Sequence, residues 1–261
     1  MRLAFIHRGS ATAKMIMREC GIPRWGRGVR ADLLINYGLA GSRFADWQRR
    51  NPLGSRKPMF NKPHGKNKYE IIKYFSDLNY DQEYDSYDGH EITTPRTRKR
   101  LELRHAPEGW LVKPFYSQGG QGIEIARDRV APYDKYFQQY IHDRAYELRV
   151  HAFKWIPKEE WVVQKRVQGE GDSVTWNHHT GGTFITVNDT NARVFKRAIN
   201  MAYSTLFWLK QDFGGVDFIV NRDREILFIE INSAVGCHGL SDPIYVDAFR
   251  RLQEMEMEEG L

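Results

Sequence analysis

The stretch FGGVDFIVNRDREILFIEIN, residues 213–232, decides the fold of this chain. Two runs of apolar, β-branched and aromatic residues flank the charged tetrapeptide RDRE, and this pattern predicts a β-hairpin with RDRE in the turn. If Asn221 faces Ile226 across that turn, Asp217 falls directly opposite Glu230. The hairpin therefore places two carboxylates on the same face of a sheet.

A third oxygen-bearing side chain, Asn232, follows Glu230 by two residues and so shares its face. Like charges that face each other in a bare sheet destabilise it, so Asp217 and Glu230 require a neutralising cation. Oxygens from Asp, Glu and Asn suit Mg²⁺, which usually retains waters and takes further ligands from substrate phosphates. The alternative is a solvated hairpin face with scattered acids, and this stretch alone does not choose between the two.

Composition limits the class of protein. The chain has 261 residues, of which 41% are hydrophobic and 28% charged, as expected of a globular protein with a substantial core. No apolar run approaches the roughly 18 residues of a membrane span, and the run LAFI near the N-terminus is too short for a signal peptide. With two cysteines, Cys20 and Cys237, no disulfide framework is expected. We therefore expect a soluble cytoplasmic protein with no membrane partner.

Basic residues are concentrated at the front of the chain. Residues 1–69 contain fifteen Lys and Arg against three acids, Glu19, Asp32 and Asp46, and aromatic residues are interspersed among them. Such a segment suits an anionic ligand or a nucleic-acid partner. The alternative is a solvated basic surface around the mouth of a site.

Periodicity and turn residues predict an α+β chain that begins with a small α/β unit. Leu3 to His7 is a predicted strand, and Ser10 is the predicted cap of a helix that ends at Gly21. The remaining predicted elements are a strand over 33–36, helices over 43–50 and 68–78, strands over 110–115, 123–126, 136–141, 146–155 and 161–167, a helix that starts near residue 189 or 190, the hairpin, and a last helix over 243–258.

Lys113 lies on a predicted strand just before the glycine-rich turn SQGGQG, residues 117–122. Glycines let backbone N–H groups approach a polyphosphate closely, while the lysine supplies a positive charge. Most glycine-rich turns are only turns, and this one matches neither the P-loop nor the dinucleotide fingerprint. The tripeptide at residues 212–214, DFG, resembles a protein-kinase metal motif, but no HRD catalytic loop accompanies it.

Taken in order, these pieces resemble the ATP-grasp superfamily, and in particular its carboxylate-amine ligases, such as the enzymes that add glutamate to a ribosomal protein. The resemblance covers about residues 65–236. It implies an ATP-grasp fold in which the nucleotide lies between two antiparallel-sheet lobes. It also implies three domains: a small basic α/β lobe over 1–64, a central lobe with the glycine-rich flap over 65–137, and a C-terminal lobe with the metal-binding hairpin over 138–261.

The resemblance further implies roles for individual residues. Asp217, Glu230 and Asn232 correspond to the Mg²⁺ ligands, and Lys113, Arg166 and Asn177 to groups at the reaction centre. Glu147 falls where the family binds the ribose hydroxyls, and residues 139–141 form the hinge whose backbone reads adenine. The full set of implied nucleotide contacts is Lys68, Lys113, Gln118, Gly119, Gly120, Gly122, Gln139, Tyr140, Ile141, Glu147 and Lys165. The implied cofactors are ATP and Mg²⁺, with two ions bound and with Mn²⁺ able to substitute.

One departure from the family's pattern concerns an arginine. Where close relatives have RSN before a glycine pair, this chain has TWN at residues 175–177. An arginine expected beside the transferring phosphoryl group is therefore missing at Thr175. Arg166 and His179 are the candidates to supply the charge instead.

The implied reaction is transfer of the γ-phosphoryl group of ATP to a carboxylate, followed by attack of an amine on the acylphosphate. The expected partners are carboxylate and amine substrates in a small molecule, a peptide or a protein. Two alternatives stay open: a ligase or kinase of the same fold that acts on a nucleic-acid-linked or other strongly anionic substrate, and a nucleotide-binding module that has lost catalysis.

Other polar residues have simpler interpretations. His178, His179 and His238 could bind zinc, but an adjacent pair gives poor ligand geometry. Cys237 could be a nucleophile, but a lone cysteine beside a ligand site is more often a packed thiol. Trp176 is expected near the reaction centre, where it could shape a substrate pocket.

Overall fold

The computed structural model describes residues 2–7, 9–78, 92–102, 105–116, 120–168, 174–176, 182–236 and 241–258. Its strands form three sheets: a three-stranded parallel sheet, a four-stranded antiparallel sheet and a five-stranded antiparallel sheet. Each sheet is built from a different part of the chain, and the two antiparallel sheets face each other across a cavity.

The N-terminal sheet is parallel, in the order β1 (Leu3–His7), β2 (Leu33–Tyr37) and β3 (Met59–Phe60). Helices α1 (Ala11–Cys20) and α2 (Gly41–Arg50) follow the first two strands. The predicted strand–helix–strand–helix start is therefore confirmed.

The ends of α1 show why the sequence predicted it well. Ser10 Oγ accepts a hydrogen bond from the Ala13 N–H at 3.1 Å, which satisfies a backbone donor of the first turn. Gly21 ends the helix in the left-handed conformation, with φ of 65°. Both signals are local, so they can be read without knowledge of the tertiary structure.

Replacing Ser10 with Ala is expected to lower the free energy of unfolding by about 1 kcal/mol, because α1 loses the acceptor at its first turn. Ser42→Ala is the matched control, since Ser42 is an exposed residue within α2. Chemical denaturation of both variants measures the difference. Equal stability of the two variants would contradict the capping role of Ser10.

The remaining strands build the two antiparallel sheets. The four-stranded sheet has the order β4 (Thr97–Arg98), β7 (Lys135–Gln139), β5 (Trp110–Pro114), β6 (Glu124–Ile125), and α3 (Lys68–Leu78) precedes it in the chain. The five-stranded sheet has the order β10 (Thr183–Thr186), β9 (Val162–Val167), β8 (Arg144–Phe153), β11 (Phe213–Asn221), β12 (Ile226–Asn232). Helix α4 (Arg193–Trp208) precedes the hairpin, and α5 (Asp242–Glu258) follows it.

The five-stranded sheet has one apolar and one polar face, because successive side chains of a strand point to opposite sides. Leu148 and Val150 of β8 are buried in the main core together with Ile199, Ala202 and other residues of α4. The β8 residues that alternate with them, at positions 147 and 149, line the cavity instead. Helix α4 thus covers one face, and the polar face is left open toward the four-stranded sheet.

Strands β11 and β12 form the predicted hairpin, and Asp217 lies opposite Glu230 as predicted. The pairing expected at the turn is wrong by one residue, since Ile226 faces Val220 rather than Asn221. The last paired residues are therefore Val220 and Ile226, and Asn221 lies between this pair and the RDRE turn.

A β-bulge reconciles the turn with the carboxylate pair. The register shifts between Asp217 and Phe218: Phe218 pairs with Phe228, whereas Asp217 pairs with Glu230. Strand β12 therefore carries one extra residue, Ile229, opposite this step. The bulge cancels the offset at the turn and returns the two acids to the same face.

Helix α4 starts later than predicted. It begins at Arg193 rather than near residue 189 or 190. Asp189 Oδ1 accepts a hydrogen bond from the Asn191 N–H at 2.9 Å, so the aspartate closes a turn before the helix instead of capping it.

The predicted fold class is confirmed: an α/β N-terminal lobe is followed by two antiparallel sheets that enclose a cavity. The division at residues 64/65 and 137/138 stays a prediction, and the second boundary falls within β7. Across the described part of the chain, no helix combines the length and the apolar character required to cross a membrane.

Candidate active site

A cavity of about 460 Å³ lies between the four-stranded and the five-stranded sheet. Its volume is within the range of roughly 300–1,000 Å³ that is usual for small-molecule sites. Its walls are lined by charged and apolar side chains from both sheets, from the start of α3 and from residues 174–176, among them Lys68, Leu111, Lys113, Gln138, Arg144, Glu147, Arg149, Arg166, Trp176, Phe184, Asp217, Ile219, Glu230 and Asn232.

Asp217, Glu230 and Asn232 converge on one wall of this cavity. Asn232 Nδ2 donates to Glu230 Oε1 at 3.0 Å and lies 3.3 Å from Asp217 Oδ2. Adjacent strands and a two-residue spacing bring the three side chains together, as predicted from the hairpin. Their donor set is the one that suits Mg²⁺.

The structure shows how the protein neutralises these two acids. Arg149 Nε and Nη2 donate to the two carboxylate oxygens of Asp217, each at 2.7 Å. Lys68 Nζ, at the start of α3, lies 2.6 Å from Glu230 Oε2. Burial raises the pKa of Glu230, but the charge of Lys68 and its hydrogen bond outweigh that effect and lower the pKa below its ordinary value. Glu230 is therefore held ionised, and Arg149 balances the charge of Asp217.

Lys113 reaches the cavity from β5 of the opposite sheet. Its side chain is buried, at 6% exposure, and Nζ donates to Gln138 Oε1 at 2.7 Å. Burial disfavours the ammonium form and lowers the pKa of Lys113 to about 8. A buried ammonium whose described hydrogen-bond acceptor is a neutral amide is well suited to receive an anionic ligand.

Glu147, the residue implied for the ribose hydroxyls, lines the cavity with both of its oxygens in ion pairs. Arg144 Nη1 donates to Oε1 at 2.6 Å, and Arg166 Nη1 donates to Oε2 at 2.7 Å. Arg166 faces Glu147 directly across β8 and β9. The two arginines therefore orient Glu147 in this structure, and a ribose would share those oxygens with them.

Arg144 was not among the residues indicated by the sequence. Its guanidinium carbon lies 4.3 Å from the centre of the Trp176 ring, and Nη2 donates to the Val174 carbonyl at 2.9 Å. A guanidinium thus reaches the segment in which the expected arginine is replaced by Thr175. Strict alternation along β8 would place Arg144 on the face opposite Glu147. A register shift between Tyr146 and Arg144 leaves one extra residue, Ala145, and brings Arg144 to the cavity side, so no local pattern indicated it.

Phe184 of β10 lies over two more guanidinium groups. The ring centre is 4.2 Å from the guanidinium carbon of Arg166 and 5.0 Å from that of Arg149. Cation–π contact of this kind holds a guanidinium plane in place without using its N–H donors. Strand β10 was not predicted, so this aromatic residue was missed as well.

The hinge residues Gln139, Tyr140 and Ile141 all line the cavity. The Gln139 N–H donates to the Arg96 carbonyl at 2.8 Å, and the Tyr140 N–H donates to the Gly109 carbonyl at 2.9 Å. These two donors are engaged within the protein, so the backbone of Ile141 is the better placed to read a base.

Part of the predicted flap and reaction centre falls outside the described residues. Gly120 lines the cavity, and Gly122 packs against Pro114 with φ of 72°. Gln118, Gly119, Asn177, His178, His179, Cys237 and His238 lie outside the described part of the chain. Within that part, no cluster of three or more His, Cys, Asp or Glu residues could hold a metal ion such as zinc.

Lys165 is a predicted nucleotide contact that does not line the cavity. It pairs with Leu148 across β8 and β9, so it points to the opposite face of the sheet from Arg166. Its ammonium lies 4.3 Å from the centre of the Tyr146 ring. Adjacent residues of a strand point to opposite faces, so Lys165 does not share the cavity wall with Arg166 in this structure.

Lys165→Met is therefore expected to leave nucleotide affinity unchanged within about twofold, since a residue on the far face makes no contact with the ligand. Arg166→Met, one residue further along the same strand, is expected to weaken it, because Arg166 lines the cavity. Isothermal titration calorimetry with ATP and Mg²⁺ measures the nucleotide affinity of both variants. An equal loss of affinity in both variants would refute this assignment of faces.

Several solved proteins share this architecture. The macrocyclase MdnC of Microcystis aeruginosa MRC, solved with the precursor peptide MdnA, has a TM-score of 0.58 and 13% identity, over 97% of this chain and 99% of that one. D-alanine–D-alanine ligase of Bacillus anthracis, solved with ATP, has a TM-score of 0.59 and 15% identity, over 99% of both chains. The ATP-grasp ligase PsnB, solved with a minimal precursor, Mg and ADP, has a TM-score of 0.57 and 11% identity, over 96% and 98%.

Sequence comparison alone does not detect this similarity: no family model matches the chain, and no curated protein matches it in sequence. At 11–15% identity, the structural likeness establishes the fold. The chain therefore has the ATP-grasp fold that the motifs resembled.

Proposed function

We propose that this chain is an ATP-dependent, ADP-forming carboxylate-amine ligase that makes an amide bond through an acylphosphate. The observation that carries this proposal is the convergence of Asp217, Glu230 and Asn232 on one wall of a cavity that Lys113 enters from the facing sheet. Phosphoryl transfer asks a protein for positioning and for neutralisation of charge, and these groups supply both.

The three oxygen-bearing side chains fit Mg²⁺, because the donor set contains two ionised carboxylates and an amide and no nitrogen or sulfur ligand. Bound there, Mg²⁺ would neutralise negative charge on the phosphates of ATP. Two such ions, with Mn²⁺ as a substitute, complete the proposal. Arg149 and Lys68 balance the charge of the carboxylates and hold them in place.

The arginines of the polar face are the proposed replacement for the one missing at Thr175. Arg166 and Arg149 lie together under Phe184, and Arg144 contacts the segment that contains Thr175. Guanidinium groups stabilise the charge of a transferring phosphoryl group. Asn177 is retained in the proposed reaction centre on the resemblance alone.

The proposed nucleotide position follows from the two sheets. Lys113 and the glycine-rich flap, with Gln118, Gly119, Gly120 and Gly122, would hold the phosphates, and Ile141 would read adenine through its backbone. Closure of the flap would keep water from hydrolysing the acylphosphate.

The proposal defines the substrates by chemical class. A carboxylate and an amine are required by the reaction, and either could belong to a small molecule, a peptide or a protein. MdnC and PsnB were solved with precursor peptides, so peptides rich in acidic residues are the first carboxylate donors to test.

Release of ADP and inorganic phosphate tests the proposal. Purified protein with ATP and Mg²⁺ should release both in equal amounts only when a suitable carboxylate and amine are present. ADP without free phosphate would instead indicate a kinase. No turnover with any pair, together with a cellular role that survives Asp217→Asn, would indicate a binding module without catalysis.

A second candidate, a ligase or kinase that acts on a nucleic-acid-linked substrate, rests on the basic front of the chain. Arg27, Arg30, Arg43, Arg50 and Arg56 are exposed, so they are available to an anionic partner. Binding of RNA or DNA that weakens steeply with salt would support this candidate. Binding that is absent at low salt would eliminate it.

A further inference from the structure

Glu147 joins two arginines on the wall of the cavity. Its two oxygens accept from Arg144 Nη1 and Arg166 Nη1 at 2.6 and 2.7 Å, and strand pairing sets Glu147 directly opposite Arg166. The side chains of Arg144, Glu147 and Arg166 are 7%, 15% and 14% exposed. Within the described part of the chain, neither arginine has an ion pair with another carboxylate. Glu147 is therefore the counter-ion that these two mostly buried cations share.

Each guanidinium group is also held on its flat face. The ring centre of Trp176 lies 4.3 Å from the guanidinium carbon of Arg144, and that of Phe184 lies 4.2 Å from the guanidinium carbon of Arg166. An aromatic face holds the plane of a guanidinium group without fixing its rotation within that plane. The ion pair with Glu147 fixes this rotation for Arg166, and it is one of two hydrogen bonds that fix it for Arg144.

The same contacts bear on the ribose contact that the motif resemblance implies for Glu147. A site rejects a nucleotide that lacks a ribose hydroxyl when that loss leaves a buried polar group unpaired. Both oxygens of Glu147 already accept hydrogen bonds from charged donors, which are stronger than those from a neutral hydroxyl. A deoxynucleotide would therefore leave neither oxygen without a donor, and this carboxylate gives the site little means of reading the sugar.

We infer that Glu147 is a positioning residue that holds Arg144 and Arg166 toward the transferring phosphoryl group, and that it does not read the ribose. Both arginines line the cavity, and Arg144 donates to the segment in which Thr175 replaces the expected arginine. This inference rests on the proposed ligase function, and it names the residue that keeps the substitute guanidinium groups in place.

The first test measures whether Glu147 reads the ribose. Isothermal titration calorimetry of the full chain with ATP, 2′-deoxy-ATP and 3′-deoxy-ATP, each with Mg²⁺, gives the ratio of the ATP affinity to each deoxynucleotide affinity. Because Glu147 has its donors without a ribose, Glu147→Gln is expected to change each ratio by less than about twofold relative to the wild type. A larger change in either ratio would overturn the inference.

The second test measures whether the arginines are positioned for the phosphoryl group. ADP with Mg²⁺ and aluminium fluoride mimics that group during transfer, whereas ADP with Mg²⁺ alone does not. In Glu147→Gln, the amide oxygen can accept from one arginine, but the amide N–H groups face the donors of the other and displace it. We expect the variant to bind the aluminium fluoride complex at least about tenfold more weakly, and ADP within about threefold of the wild type. Equal losses for both ligands, as a merely structural role requires, or no loss for either, would contradict the inference.

Glu160→Gln is the matched control. Glu160 Oε2 accepts from Arg251 Nη1 at 2.6 Å, its side chain is 48% exposed, and it does not line the cavity. The control makes the same chemical change in an Arg–Glu pair, so its nucleotide affinities should equal those of the wild type. If Glu147→Gln does not fold, Glu147→Asp takes its place: the aspartate keeps the charge but is one methylene too short to reach both guanidinium groups, and the same comparisons decide the inference.

The outcome is separable from that of the proposed function, because both tests measure binding without turnover. A wild-type chain that binds nucleotide but never releases ADP and phosphate would refute the ligase proposal, and the deoxynucleotide ratios would still decide whether Glu147 reads the ribose. A chain that turns over ATP and loses its discrimination against deoxynucleotides in Glu147→Gln would refute the inference alone. A wild-type chain that binds no nucleotide would refute both.

Discussion

Asp217→Asn is expected to reduce ATP turnover about a thousandfold, because loss of one carboxylate from the metal wall removes several kcal/mol of charge stabilisation. The same change is expected to destabilise the fold by about 3–5 kcal/mol, since it leaves the buried guanidinium of Arg149 without its bidentate partner. The two side chains are 12% and 13% exposed, so solvent compensates little. Turnover of ATP and denaturant unfolding measure the two effects.

The double variant Asp217→Asn with Arg149→Gln separates the effect on turnover from the effect on stability. Removal of both charges should restore most of the stability, because no uncompensated charge stays buried. It should not restore turnover, since the carboxylate is still absent. Asp223→Asn, in the exposed turn of the same hairpin, is the control and should change neither quantity. Full turnover by Asp217→Asn would contradict the role of this residue.

Lys113→Met is the second large effect we expect: a loss of ATP affinity of about a hundredfold with little net change in stability. An apolar side chain of similar length removes an unfavourable buried charge, and this gain offsets the loss of the hydrogen bond to Gln138 Oε1. Lys154→Met is the control, because Lys154 lies beyond the end of β8 and is 40% exposed. A Lys113→Met variant that is destabilised but still binds ATP would contradict both expectations.

The lowered pKa of Lys113 gives this prediction a pH dependence. Without ligand, the ammonium loses its proton as the pH rises through about 8, and phosphates bound nearby raise that pKa. ATP affinity should therefore fall between pH 7 and pH 9 in the wild-type chain and not in Lys113→Met. Stability should move in the opposite direction, because the unfolded chain binds more protons above pH 8 and linkage then favours the folded state. Titrations at several pH values distinguish the two chains.

Much of the fold follows from local signals in the sequence. Ser10 and Gly21 mark both ends of α1, alternation marks the long strand β8, and a run of apolar and β-branched residues marks β11. Strands β3, β4 and β10 contain two to four residues, too few to show a period, so they were missed. Their pairing depends on neighbours distant in the sequence, which local reasoning does not see.

The sequence predicted the site residues that lie on one hairpin, and it missed several residues that other strands contribute. Asp217 and Glu230 could be placed opposite each other because a bulge at Ile229 cancelled an error of one residue at the turn. Arg149 lies 68 residues from Asp217 in sequence, so no local pattern predicts their ion pair. Its position two residues after Glu147 was the available clue, since both then face the cavity.

In the proposed site, Asp217, Glu230 and Asn232 hold Mg²⁺ beneath a triphosphate that Lys113 also contacts. A crystal structure with Mg²⁺ and a non-hydrolysable ATP analogue tests this arrangement. We expect a metal ion about 2.1 Å from oxygens of Asp217 and Glu230, with Lys113 Nζ against a phosphate oxygen. Nucleotide bound outside this cavity, with the three side chains turned to solvent, would contradict it.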